Sequence, residues 1–154
     1  MGPTAKIVRK TYIKVGASLK GPKKVAVGFP AGKVGGDILA RAIYNEFGTK
    51  GGASGGGWGG PIPERPFLRN AMRDNRDKYR QSLTKAAQKL LTNQTSLQTV
   101  LGRLGILATG DIQSEITSLS SPPNSPVTIA LKGSSNPLID SGEMRAAVTW
   151  KVDE

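Results

Sequence analysis

Leu68, Met72, Asn75, Tyr79, Leu83, Ala86 and Leu90 follow one another at intervals of four, three, four, four, three and four residues. Such spacing lays every side chain on one stripe of an α-helix, and no strand can use it. It predicts one long helix over 66–92, with Pro66 suited to the first turn. A second apolar face follows over 96–119, built from Leu97, Val100, Leu101, Leu104, Ala108, Ile112 and Ile116. Thr95 and Gln98 form its capping box. Gly102, Gly105 and Gly110 each weaken this helix by roughly 1 kcal/mol relative to alanine. They predict a bend or break near 105–110, or a close approach of another backbone.

Shorter elements flank this helical centre. Residues 7–15 and 24–29 read as strands able to pair as a hairpin, the second ended by Pro30, which cannot donate to a sheet ladder. Residues 37–47 read as a helix capped by Asp37, with Leu39, Ala40, Ile43 and Phe47 as its buried stripe and Gly48 as its C-cap. Residues 127–131 fit a short strand or a helical turn. Asp140 and Glu143 look like a small capping pair, opening one helical turn before a closing strand over 146–152. With 37% hydrophobic and 5% aromatic residues, the core is modest. The expectation is a single domain over 1–154 of α+β class. A small, mostly antiparallel sheet is backed by two longer helices, with long Gly/Pro-rich loops between elements.

The chain contains neither Cys nor His. This removes disulfides, thiolate metal sites and the commonest general base. Glu46, Glu64, Asp111, Glu115 and Asp140 are the carboxylates available for acid–base chemistry, and none stands in a recognisable pair with a nucleophile. Asp111 and Glu115, at i and i+4, have chelating spacing, which surface charge also produces. The Gly-rich segment at 50–61 lacks the Lys-Ser or Lys-Thr of a phosphate-binding loop, so no nucleotide cofactor is expected. It reads as a flexible loop with one aromatic anchor, Trp58. Phe47 and Phe67 are expected to tie its two ends into the core. No apolar leader and no long apolar run is present, which predicts a chain made in the cytoplasm with no membrane span.

Net charge is +11, unevenly spread. Residues 61–93 carry eight basic and three acidic side chains, while 94–154 carry four basic and six acidic. Arg69, Arg73, Arg76 and Arg80 form a row roughly 100° around the long helix from its apolar stripe. Such a row suits an anionic partner, either nucleic-acid phosphates or the acidic surface of a neighbouring protein. No base-reading motif accompanies it. Arg69, Arg73, Arg76, Arg80 and Trp58 are therefore the candidate contact residues.

Three segments carry a resemblance: Glu46-Phe47-Gly48-Thr49, Arg65-Pro66-Phe67, and Pro137-Leu138-Ile139-Asp140-Ser141-Gly142. In this order, over about residues 24–152, they resemble the neck and tail-completion proteins of tailed bacteriophages, with Ser141 where that family usually has Thr. The resemblance implies a virion structural protein without catalysis or cofactor. It implies a homo-oligomeric ring, hexameric or dodecameric, at the head–tail junction. There it would meet head-side connector or adaptor proteins and tail tube or terminator proteins, and genomic DNA would pass through its channel. The other function left open by the residues is that of a small, basic, non-specific nucleic-acid-binding protein.

Overall fold

The computed structural model describes residues 19–30, 32–51 and 60–153. In chain order these form β1 (Lys24–Gly28), α1 (Gly36–Phe47), α2 (Phe67–Asp74), α3 (Arg76–Leu91), α4 (Leu97–Ser118), α5 (Pro126–Lys132), α6 (Glu143–Ala146) and β2 (Thr149–Asp153). The class is α+β, as the residue patterns predict. β1 and β2 pair antiparallel, with Lys24 opposite Asp153 and Gly28 opposite Thr149. The segment 7–15, expected as the partner of β1, lies outside the described residues. β1 pairs with the closing strand, which begins at Thr149 rather than 146 because Glu143–Ala146 forms a helical turn.

α4 is the scaffold. It packs against both strands, α2, α3 and α6. α3 packs on α4 and α2, so only one of the two long helices backs the sheet to any extent. Phe67, Ala71, Ile112, Ile116, Leu119, Leu138, Met144 and Val148 form the core together with Ala42. Phe67 meets Phe29 edge-to-face, with ring centroids 6.2 Å apart and planes at 81°.

The break expected in α4 does not occur; the helix is continuous from Leu97 to Ser118. Its N-cap is Ser96, whose Oγ accepts from the Thr99 amide, rather than the Thr95–Gln98 box. The glycines do permit a close approach, but of a side chain: the Trp150 indole lies across Gly102 and Gly105. A Cβ on Gly105 would sit 2.7 Å from Trp150 Cδ2, whereas one on Gly110 would meet nothing within 4 Å. Gly105→Ala should therefore destabilise by about 1–2 kcal/mol, since overpacking outweighs the gain in helix propensity. Gly110→Ala should stabilise by about 0.5–1 kcal/mol. Urea midpoints of the two variants, moving in opposite directions, check both.

The predicted helix over 66–92 is two helices joined at Asn75 (φ −101°, ψ 8°). The Asn75 side-chain amide donates to the Ala71 carbonyl at 3.0 Å. A side chain bonding to a nearby backbone carbonyl in this way competes with regular helix geometry. The predicted stripe holds in part: Leu90 is buried, but Leu83 is exposed. In α1 the predicted stripe is corrected. Ala42 and Glu46 are the buried positions, while Ile43 and Phe47 are exposed. The N-cap is Gly35 rather than Asp37. Residues 127–131 belong to a helix, α5. The N-cap of α6 is Gly142 (φ 83°) without a side-chain bond, so Asp140 and Glu143 form no capping pair.

Candidate interaction site

The three segments that carry the family resemblance meet in one hydrogen-bonded cluster. Gly48 turns the chain out of α1 with φ 69°, and a Cβ there would meet Glu64 N and Ile62 O at 3.0 Å. The close turn lets the Thr49 amide donate to Ile62 O (2.8 Å) and the Arg65 amide to Asn45 O (2.6 Å). The ends of the Gly-rich segment are thus joined by backbone bonds. Phe67 is fully buried beside them, but Phe47 is 64% exposed and is no core anchor.

Glu46, only 2% exposed, reaches from α1 to the start of α2. Its Oε2 accepts from Leu68 N (2.9 Å), and its Oε1 from Arg69 N (3.2 Å) and Arg69 Nε (2.9 Å). A carboxylate at a helix N-terminus satisfies amides that have no intrahelical partner and lies at the positive end of the helix dipole. This explains why an acid occupies a position the helical pattern assigns to the core.

Arg65, 4% exposed, extends the cluster in the other direction. It donates from Nε to Pro122 O, from NH1 to Asn45 Oδ1, and from NH2 to Pro123 O and Asn124 Oδ1. Burial pulls its guanidinium below the ordinary value. Asn124 Nδ2 donates to Asn136 O, and Asn136 Oδ1 accepts from the Leu138 and Ile139 amides, both at 3.0 Å. The Pro137–Gly142 turn is therefore tied through two asparagines to Arg65.

A cleft of about 710 Å³ opens over this relay. Ile62, Val127, Leu138 and Met144 supply apolar walls, with Arg41 and Asn45 of α1 on one side and Asp140 on the rim. α5 forms its lip. Ser125 caps that helix by accepting from Thr128 N, Pro126 fills its first turn, and Gly133 ends it at φ 67°. Nevertheless, α5 contains no buried residue, and Val127 and Leu131 are 69% and 81% exposed.

The arginine row is divided by the break at Asn75, and its members are engaged differently. Arg69 pairs with Glu46 and Glu64, and its guanidinium lies over the Phe47 ring, 5.3 Å from the centroid. Arg73 pairs with Asp74 (2.9 Å), and Arg80 more loosely with Asp77 (3.6 Å). Arg76 has no ion pair among the described residues. Trp58 lies outside them.

The candidate carboxylates are scattered rather than assembled. Glu115 accepts from Asn70 Nδ2, and Asp111 pairs with Lys78 at 2.6 Å. Among the described residues no group of three or more acidic side chains is placed to hold a metal ion. The Tyr79 hydroxyl and Asp111 Oδ2 are both buried, near each other but with no hydrogen bond of ordinary geometry to either among the described residues. Burial pushes the Tyr79 phenol well above its ordinary value, and nearby Asp111 opposes phenolate further. The folded state thus holds this proton more tightly than the unfolded chain. That contribution is complete below the unfolded pKa of about 10 and is lost as pH rises beyond it. Tyr79→Phe should make the alkaline loss of stability shallower, as read from urea midpoints measured against pH.

No family model, curated protein or solved structure matches this chain. Arg65 and the exposed face of α5 were not singled out by residue pattern. A signal for α5 is present in Ser125-Pro126, Thr128 and Gly133, a complete set of start and stop residues. Arg65 carries no such mark, because its carbonyl partners lie 57 and 58 residues away.

Proposed function

We propose that the protein is a structural subunit of a ring at the head–tail junction of a tailed bacteriophage, acting as a neck or tail-completion protein rather than an enzyme. The observation that carries this reading is α5. A helix of seven residues is not stable in water by its own hydrogen bonds. This one buries none of its side chains yet displays Val127, Ile129 and Leu131. A subunit that presents such a surface is suited to completion by a partner. The resemblance of the three joined segments supplies the identity of the assembly: a hexameric or dodecameric ring in the virion, between head-side connector proteins and the tail tube or its terminator, with DNA passing through.

A second reading is favoured by α3. Arg76, Lys78, Arg80, Lys85 and Lys89 stand there against the single acid Asp77. On this reading the protein is a small, non-specific nucleic-acid binder whose affinity falls steeply with salt. Native mass spectrometry of the purified protein at moderate salt separates the two. A discrete species of about six or twelve subunits supports the ring. A monomer or dimer that binds DNA with a steep salt dependence overturns the ring in favour of nucleic-acid binding.

A further inference from the structure

We infer that α3 enters the major groove of double-stranded DNA, with cations on its two flanks meeting phosphates of the two strands and a polar stripe turned toward the base edges. The inference rests on the nucleic-acid reading of α3, not on the ring, and gives that reading a groove and an orientation.

Burial fixes how α3 is turned. Tyr79, Ser82 and Ala86 are partly buried and Leu90 is buried, on the side that faces the body of the protein. Successive residues turn by about 100° around a helix axis. Asp77, Gln81, Thr84 and Gln88 therefore fall on the opposite side, and all four are exposed. Arg76 and Arg80 lie about 90° from this outward stripe in one direction, and Lys85 and Lys89 about 90° in the other. These four are exposed as well. Arg76, Lys85 and Lys89 have no ion pair among the described residues. Arg80 meets Asp77 only at 3.6 Å, with both side chains largely in solvent. Lys78 is held by Asp111 at 2.6 Å and is not counted among the free cations.

This placement separates the possible anionic partners. A flat acidic protein surface is met first by the outermost face of a helix, so complementarity would put the cations there. On α3 that face carries two amides, a hydroxyl and one carboxylate, and the free cations stand back on both flanks. Duplex DNA presents the matching arrangement, with phosphates along both walls of a groove and hydrogen-bonding base edges along its floor. Gln and Thr can bond to those edges, and an acid such as Asp77 can accept from cytosine. A helix with its side chains is about 10–12 Å across, and the major groove is about 12 Å wide and about 8.5 Å deep. Only Leu90 of the 16 residues of α3 is buried, so most of the circumference is free to enter. Double-stranded RNA does not fit, because side chains cannot read its deep, narrow major groove.

The test measures binding of the full chain to a fluorescein-labelled DNA duplex of about 20 base pairs, or two helical turns. Anisotropy is read from about 50 to 200 mM salt. Four phosphate contacts give a slope of about −3.6 in log K against log salt. Arg76→Gln with Arg80→Gln, and Lys85→Gln with Lys89→Gln, should each make that slope shallower by about 1.8. Lys20→Gln with Lys33→Gln, exposed and outside α3, removes the same charge and should leave it unchanged. Circular dichroism verifies that each variant keeps its helices. Guanine N7, which lies in the major groove, should be protected from dimethyl sulfate in the complex. A loss confined to one flank variant means that α3 lies along a single strand and overturns the groove. Unprotected N7, equal affinity for double-stranded RNA, or an equal loss in the control pair does the same. DNA binding that neither flank variant weakens overturns the inference and leaves the nucleic-acid reading standing. A chain that does not bind DNA overturns both, and binding of polyglutamate that both flank variants weaken would then assign α3 to an acidic protein surface.

Discussion

Glu46→Ala should lower stability by about 2–4 kcal/mol, because it leaves the Leu68 and Arg69 amides at the start of α2 without an acceptor in a buried place. Those amides are among the few at a helix start that this fold satisfies with a side chain. Glu46→Gln keeps one carbonyl oxygen but turns an amide group toward a donor, so a smaller loss of about 1–2 kcal/mol is expected. Urea unfolding reads both, with the midpoint shifting and the slope unchanged if only stability is affected. An equal loss in both variants would show that charge, rather than acceptor geometry, sets the effect. An unchanged midpoint in Glu46→Ala would refute the capping role.

Phe67→Ala should cost about 3–5 kcal/mol, the usual range for removing a fully buried aromatic ring and leaving its cavity. Phe67 has no exposed surface and meets Phe29 on the sheet side and the α4 core residues on the other. A domain of this size is held by about 5–15 kcal/mol in total, so the variant should be close to unfolded at 37 °C. Phe67→Leu conserves most of the volume and should lose less than about 1.5 kcal/mol. Thermal melts followed by circular dichroism distinguish the pair. A Phe67→Ala melt within a few degrees of wild type would mean that the core closes over the space without it.

The comparison of residue pattern with fold is most instructive at α1 and α4. Both were legible as helices, since helix formation depends on spacing, propensity and stop residues that lie within one stretch. The faces they bury were less legible. The pattern in α1 put Ile43 and Phe47 inside, yet a charged residue takes the interior place because a helix start 22 residues later in the chain offers it two amides and a guanidinium. In α4 the glycines signalled weakness when taken locally. Their use became visible only with Trp150, 45 residues beyond Gly105, resting on them.

The candidate site divides in the same way. The arginine row was legible from intervals alone, but which of its members remain available depended on neighbours. Arg69 is committed to two glutamates, while Arg76 has no ion pair among the described residues. The three segments behind the family resemblance were visible in the sequence as separate turns. That they are bonded to one another through Arg65, Asn124 and Asn136 was not, because hydrogen bonds between distant segments leave no periodic trace.

By itself, then, the sequence determined the α+β class, the places of the central helices, the basic-to-acidic gradient and the absence of cysteine and histidine chemistry. These follow from composition and from interactions spanning a few residues. Tertiary structure alone decided which strand pairs with β1, which side chains of α1 face water, and that Glu46 and Arg65 tie distant segments together. The reason is physical: burial and pairing are set by whichever distant group arrives to share the space, and local spacing does not encode that group.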